Sequence, residues 1–286
     1  MSKAAGLIKL LRPINGLMMS LAVLVGASLA LMRPFSVDVA VNLLLGFITA
    51  FTLTGASMAI NDYYDYEIDK INEPNRPIPS GAIKHEECMG FALILIVTGL
   101  VASMLVAPFS LMPFLVAITS LSMSIVYATK GKKTGLAGNF LVSACVAIPF
   151  IYGSYVVSQS LSLKVLFFSV LAFLSNTGRE VTKGIVDFEG DKTKGIKTIM
   201  AVYGSKTASI VATCFFLSAV ILSILPWFLG IVSMWYLPPI VATDLGFTIS
   251  SAMLVKDPSR EKARQIKNLV LVWMLLGMIS FFTGTL

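Results

Sequence analysis

The chain has 286 residues, of which 56% are hydrophobic and only 13% charged, with a mean hydropathy of +0.85. Ordinary globular domains carry about 25% charged residues, so a water-soluble protein, a disordered chain and a fibrous repeat are all excluded. Three cysteines without a pairing pattern and a single histidine exclude a disulfide framework and a His-rich metal site, leaving an all-α polytopic membrane protein.

A helix needs about 20 apolar residues to cross a bilayer. In chain order the expected spans are Ile14–Met32, Val39–Ile60, Cys88–Ala107, Phe109–Tyr127, Leu136–Val157, Val165–Gly178, Thr207–Leu225, Leu237–Val255 and Leu269–Leu286. The first lacks a cleavage signature and leads straight into further spans, so it reads as a retained helix. The sixth is short unless Arg179 sits at the membrane surface. With nine spans, the N-terminus and every second loop share one side. All 22 basic residues except Arg33 and Lys164 fall there. The positive-inside rule makes that side cytoplasmic, with the N-terminus inside and the C-terminus outside a cell membrane. The net charge of +7 is thereby a matter of topology, and no nucleic-acid partner is expected.

The 15 acidic residues are placed unevenly. Asp38 alone belongs to an outer loop, and Asp244 lies inside the eighth span near its outer end, where an interhelical hydrogen bond is expected at least as readily as a functional role. Most of the others gather in two cytoplasmic segments. The first is Asn61-Asp62-Tyr63-Tyr64-Asp65-Tyr66-Glu67-Ile68-Asp69. If the second helix continues, Asn61, Asp65 and Asp69 recur at i, i+4, i+8 on one face, with Asp62 at its edge. Stacked carboxylates destabilise a helix unless a cation binds them. Carboxylates with an amide oxygen suit Mg²⁺ held partly by substrate phosphates. A rigid turn follows, Asn75-Arg76-Pro77-Ile78-Pro79-Ser80-Gly81, carrying one arginine. In the second segment Glu180, Lys183, Asp187 and Asp191 form one helical stripe, ended by Gly190 and Gly195.

The chain therefore reads as a single domain, 1–286, with a weak internal repeat of helices 1–4 and 5–8. Facing halves would set both acid pairs around one central cavity, capped by cytoplasmic loops 61–87 and 179–206. Acidic runs beside a membrane are commonly solvated faces, but two clusters at matched places favour function. Two such clusters near basic loops point to a diphosphate bridged by two metal ions, which neutralise charge on the leaving group. Arg76, Lys130, Lys132, Lys133, Lys183 and Lys192 are candidate donors of fixed positive charge, and Tyr127 is a candidate hydrogen-bond donor. His85, at a helix start, is expected on the surface.

Asn61-Asp62-x-x-Asp65-x-x-x-Asp69 resembles the first aspartate-rich motif of the UbiA superfamily of intramembrane prenyltransferases, and Asp187-x-x-x-Asp191 resembles the second. The Arg76-Pro77 turn, the Tyr127-x-x-Lys130 pair and the Gly138-Asn139 opening of the fifth helix are similar too, in order and spacing over nearly the whole chain. The resemblance implies a nine-helix fold, a cytoplasmic cleft and Mg²⁺-dependent prenyl transfer between lipid substrates in the bilayer. Arg179-Glu180-x-x-Lys183-Gly184-x-x-Asp187-x-Glu189-Gly190-Asp191 looks most like the archaeal branch that adds a second geranylgeranyl chain to geranylgeranylglyceryl phosphate. One departure is Gly195, which stands where a third aspartate would follow Asp191.

On that reading, Asp65, Asp69, Asp187 and Asp191 are catalytic, and they hold metal together with Asn61 and Asp62. Arg76, Tyr127 and Lys130 would complete the diphosphate site. The acceptor's own phosphate needs a second basic site, for which Lys183, Lys192, Arg260 and Arg264 are candidates. The rivals are an aromatic acid, quinone precursor or haem as acceptor, a secondary transporter with internal repeats, and a CDP-alcohol phosphotransferase, whose glycine-containing acid pattern the chain lacks.

Overall fold

The computed structural model describes residues 2–31, 34–106, 110–158, 160–193 and 195–286, without the side chains of Ile68, Ile71, Asn72 and Thr193. Arg33 and Lys194, and the expected span ends Met32, Ala107 and Phe109, lie outside the described residues. Among the described residues the chain is helical, without strands. The helices are α1 Lys3–Leu11, α2 Pro13–Ala30, α3 Val37–Tyr64, α4 Tyr66–Asn72, α5 His85–Leu105, α6 Met112–Thr129, α7 Leu136–Val157, α8 Leu163–Val186, α9 Phe188–Thr193, α10 Ile199–Ser223, α11 Leu225–Phe228, α12 Leu237–Lys256 and α13 Arg260–Thr283.

Their starts follow from local chemistry. Ser36, Thr198 and Ser259 each accept a hydrogen bond from the backbone N–H three residues on, capping α3, α10 and α13. Pro13 opens α2 with no N–H to satisfy. Caps also explain where expected boundaries shift. The last helix begins at Arg260 rather than Leu269, and α10 at Ile199 rather than Thr207. Hydropathy sees only the apolar part of a helix, whereas backbone bonding continues into the charged turns outside it. In α10 the early segment turns at Gly204, whose φ of 81° favours glycine.

Among the described residues, 8 segments are long and apolar enough to cross a membrane. They correspond to eight of the nine expected spans, with α1 and α2 joined into one. The remaining expected span is α8, a helix of 24 residues that carries Lys164, Arg179, Glu180 and Lys183. Exposed apolar stripes agree with a lipid environment: Val241, Leu245 and Ile249 recur every four residues on α12, each at least half exposed.

The chain forms two compact units. The first comprises Met1–Thr129 and Ile148–Leu161. In it α3 packs on α2 and α5, and Leu10, Ala59, Ile60, Ile78, Ile83, Cys88 and Ala92 form a buried cluster beneath the first acidic segment. α2 also approaches the later part of α7 very closely. A Cβ on Gly26 would overlap the Phe150 carbonyl, and one on Gly153 the Val23 carbonyl. Small residues let helix backbones meet in lipid, where packing replaces the hydrophobic effect. Gly153→Leu is therefore expected to destabilise the protein by about 1–3 kcal/mol or more, read as a lower thermal midpoint in detergent. Gly90→Leu, at a site with open space around it, should leave the midpoint near wild type.

The second unit comprises Lys130–Ala147 and Ser162–Leu286. Here α8 packs on α10 and α13, and α12 on both of those. Its core includes Val181, Ile185, Phe216, Phe247, Leu254, Ile266 and Val270.

Candidate active site: two acidic motifs at helix breaks

The first motif is built where α3 is interrupted. Asp65 leaves the helix at φ −88°, ψ 2°, and α4 resumes at Tyr66. This bridge region is sparsely allowed and is a common setting for active-site residues. The helical bonding pattern nevertheless persists, since Asp65 N donates to Asn61 O at 2.9 Å and Asp69 N to Asp65 O at 2.8 Å. Asn61, Asp65 and Asp69 thus follow one another at single-turn intervals, as the spacing predicted. Asn61 and Asp65 are half-buried, and Asp69 is buried.

Two arginines bind this motif. Asp62, 3% exposed, receives Arg12 at 2.5 Å and Arg76 at 3.3 Å on the same Oδ1. Arg76 also donates to Asp69 at 2.6 Å. Asp62 Oδ1 is thus the shared partner of Arg12 and Arg76. Burial pushes the Asp69 carboxyl above the usual carboxylate range, and Arg76 offsets only part of that. The proline turn is clamped beneath Arg76. Arg76 N bonds Glu73 O, Ile83 N bonds Pro77 O, and Lys9 Nζ reaches Asn75 O at 2.8 Å, while Pro77, Ile78 and Ile83 are buried.

The distribution of bases along the sequence gives Arg12 a place in the topology and no partner. Arg12 sits at the break between α1 and α2 with φ 48° and ψ 66°, the one non-glycine residue with positive φ among the described residues. Such a conformation costs roughly 1–2 kcal/mol, and Pro13 disfavours a helical Arg12 in any case. The available signal was the Arg-Pro pair directly before the first span. His85 also departs from expectation. It is half-buried and stacks on Tyr63 with ring centroids 3.8 Å apart, with Tyr66 at 5.2 Å.

The second motif repeats the construction of the first. α8 ends at Val186, Asp187 lies at φ −91°, ψ 3°, and α9 resumes at Phe188. Asp187 N donates to Lys183 O, and Asp191 N to Asp187 O, both at 3.0 Å. Asp187 therefore matches Asp65 in conformation, and Asp191 matches Asp69 in position. Asp187, Asp191 and Lys183 are half-buried, and Lys192 is exposed over the Phe188 ring. Glu180 is buried and accepts from Arg179 Nη1 at 3.0 Å and Lys183 Nζ at 3.5 Å. Gly195, with φ 66°, turns the chain toward the Thr198 cap. Gly135, with φ 64°, lies so close to the Lys197 carbonyl that a Cβ would overlap it.

Tyr127 is half-buried in the last turn of α6, and Lys130 is exposed before a tight turn at Gly131–Thr134. Asp244 accepts a hydrogen bond from Ser223 of α10 at 2.7 Å, so the intramembrane acid makes the interhelical bond weighed above.

Among the described residues no three His, Cys, Asp or Glu side chains converge into a ready-made metal cage. The donor chemistry still fits Mg²⁺. That ion is commonly held by one or two carboxylates together with substrate phosphates rather than by a protein-only shell, and each motif offers two carboxylates one turn apart.

The chain matches the UbiA prenyltransferase family over residues 19–279. It is 34% identical to the digeranylgeranylglyceryl phosphate synthase of Methanosphaera stadtmanae, over 98% of each chain. It is 36% identical to that of Korarchaeum cryptofilum, over 98% of this chain and 97% of the relative. A solved structure concerned with digeranylgeranylglyceryl phosphate synthase in membranes aligns at a TM-score of 0.79 and 31% identity, covering 100% of this chain and 99% of the other. A UbiA homologue from Aeropyrum pernix K1 shares the fold at a TM-score of 0.74 and 19% identity, over 93% of this chain and 98% of that one. With a family match across nearly its whole length and relatives aligned end to end, the chain belongs to the UbiA prenyltransferase family.

Proposed function

We propose that this prenyltransferase moves a geranylgeranyl group from geranylgeranyl diphosphate to the free hydroxyl of geranylgeranylglyceryl phosphate, forming an ether bond of an archaeal membrane lipid. The observation that carries the reading is the doubled motif, with Asp65 and Asp187 in near-identical conformations at helix breaks. The names of the relatives support the acceptor. A UbiA homologue from Archaeoglobus fulgidus that shares the fold has been solved with GPP and Mg²⁺.

Asn61, Asp65 and Asp69 on one motif, and Asp187 and Asp191 on the other, would hold Mg²⁺. When bound, the metal neutralises charge on the departing diphosphate. Arg76, steadied by Asp62, would bind the diphosphate with Tyr127 and Lys130. Preorganised donors of this kind favour the charge that develops as the allylic C–O bond breaks. The glycerol hydroxyl attacks the allylic carbon and gives up its proton, and diphosphate leaves. Lys183 and Lys192 are the substrate-binding candidates of the second motif. The scarcity of charge along the helices keeps water from competing with the hydroxyl. Both motifs would face the cytoplasm of a cell membrane, with α8 as a ninth span, the N-terminus inside and the C-terminus outside.

The test offers membranes containing the protein geranylgeranyl diphosphate with geranylgeranylglyceryl phosphate and 4-hydroxybenzoate side by side, and reads products by mass spectrometry. The expected product is the doubly prenylated glyceryl phosphate. A prenylated benzoate in its place would overturn the acceptor, and uptake into sealed vesicles without product would point to a transporter.

A further inference from the structure

The second unit gathers more positive charge than its carboxylates neutralise. Arg179 and Lys183 come from α8, and Arg260, Arg264 and Lys267 from α13. On α13 these three recur at i, i+4, i+7, forming one helical stripe. The two helices are packed together there: Val181, Ile185 and Val186 share a buried cluster with Ala263, Ile266 and Val270. Arg260 Nε donates to the Val186 carbonyl at 2.9 Å. Lys267 consequently lies within electrostatic reach of Arg179, Lys183, Arg264 and Asp187. Glu180 is already engaged by both Arg179 and Lys183.

Arg179 is the unusual member. Its side chain is 20% exposed, and its Nε is buried with no partner among the described residues. A buried donor left unpaired is costly, more so on a charged group. Positive charges held close repel unless an anion sits among them. The positive-inside rule explains exposed lysines on a cytoplasmic loop; it gives no reason for a half-buried arginine whose Nε–H is buried without a partner.

We propose that Arg179, Arg264 and Lys267 bind the phosphate monoester of the acceptor lipid, beside Asp187 of the second motif and on side chains other than Arg76, Tyr127 and Lys130. The inference rests on the acceptor named above. A phosphate monoester carries about −1.5 to −2 charge at neutral pH and offers three strong acceptor oxygens. Guanidinium forks match that geometry, and a lysine adds a point charge. The arrangement selects a glyceryl lipid that bears phosphate over one that bears only hydroxyls.

The experiment uses Arg264→Gln, Lys267→Gln and the double variant of the full chain. Both residues are accessible enough to change without burying an orphan charge. The KM for geranylgeranylglyceryl phosphate should rise about 10- to 100-fold in the double variant, as expected for loss of charge-assisted bonds. The KM for geranylgeranyl diphosphate should stay at its wild-type value, and the preference over dephosphorylated geranylgeranylglycerol should shrink. An unchanged acceptor KM, or a rise in the donor KM alone, would overturn the site. Thermal unfolding in detergent reads binding without turnover. The lipid phosphate should raise the wild-type midpoint and not that of the double variant. An equal rise from phosphatidylglycerol would overturn the proposal in favour of a general anionic-lipid surface, and no rise in wild type would also overturn it. Wild-type stabilisation by the lipid phosphate without product would sink the proposed reaction alone and leave this site standing.

Discussion

Asp65→Ala and Asp187→Ala should each lower prenyl transfer by about 10²- to 10³-fold or more, the range seen when one preorganised electrostatic group is removed from a reacting centre. The two positions are equivalent in construction: each is half-buried, each occupies a helix break, and each is followed one turn later by a second aspartate. Equal losses from both would mean that each motif supplies a part the other cannot replace. Asp69→Ala and Asp191→Ala should follow the same pattern. Excess chelator should abolish activity, and added Mg²⁺ should restore it, because metal held partly by substrate phosphate exchanges with solution. Asp38→Asn, exposed in the first turn of α3, serves as the control and should remain near wild type. The measurement is the initial rate of diphosphate release by purified protein, with a thermal midpoint taken for each variant. A folded Asp65→Ala protein turning over at the wild-type rate would remove the motif from the chemistry.

Arg12→Ala should destabilise the protein by about 2–3 kcal/mol, below the roughly 3–5 kcal/mol for breaking a buried ion pair, because Arg76 stays bonded to Asp62. The loss arises from Asp62, which is 3% exposed and would be left with one arginine in place of two. Adding Asp62→Asn to Arg12→Ala should recover part of the stability, since the buried group no longer carries a charge. Strictly additive losses in the double variant would show that the two residues do not act on each other. Arg12→Ala should also weaken catalysis through Arg76, since Asp62 holds Arg76 at the first motif. The expected signature is a higher KM for the prenyl diphosphate, partly recovered in Arg12→Lys.

Much of this was legible in the sequence because it is local. Apolar runs mark helices long enough to span. Asp65 and Asp69 are one turn apart wherever backbone bonding continues, and the interruption at Asp65 keeps that bonding. Hydropathy placed the start of the last helix at the first apolar residue, whereas the Ser259 cap starts it at Arg260. The short sixth run concealed a helix of 24 residues, because its last turns are polar.

The amino-acid sequence by itself determined the class of molecule, the places of its apolar segments, the spacing of two acid pairs and the family resemblance, all properties of neighbours along the chain. Only the tertiary structure decided the partners of those acids. Arg12 reaches Asp62 across 50 residues, His85 stacks on Tyr63 rather than facing solvent, and Arg260 reaches back 74 residues to the end of α8. No period or spacing encodes such contacts. They depend on how helices pack within each unit, which is set by the fit of side chains such as Val181, Ile185 and Ile266 and by the glycines that let backbones approach.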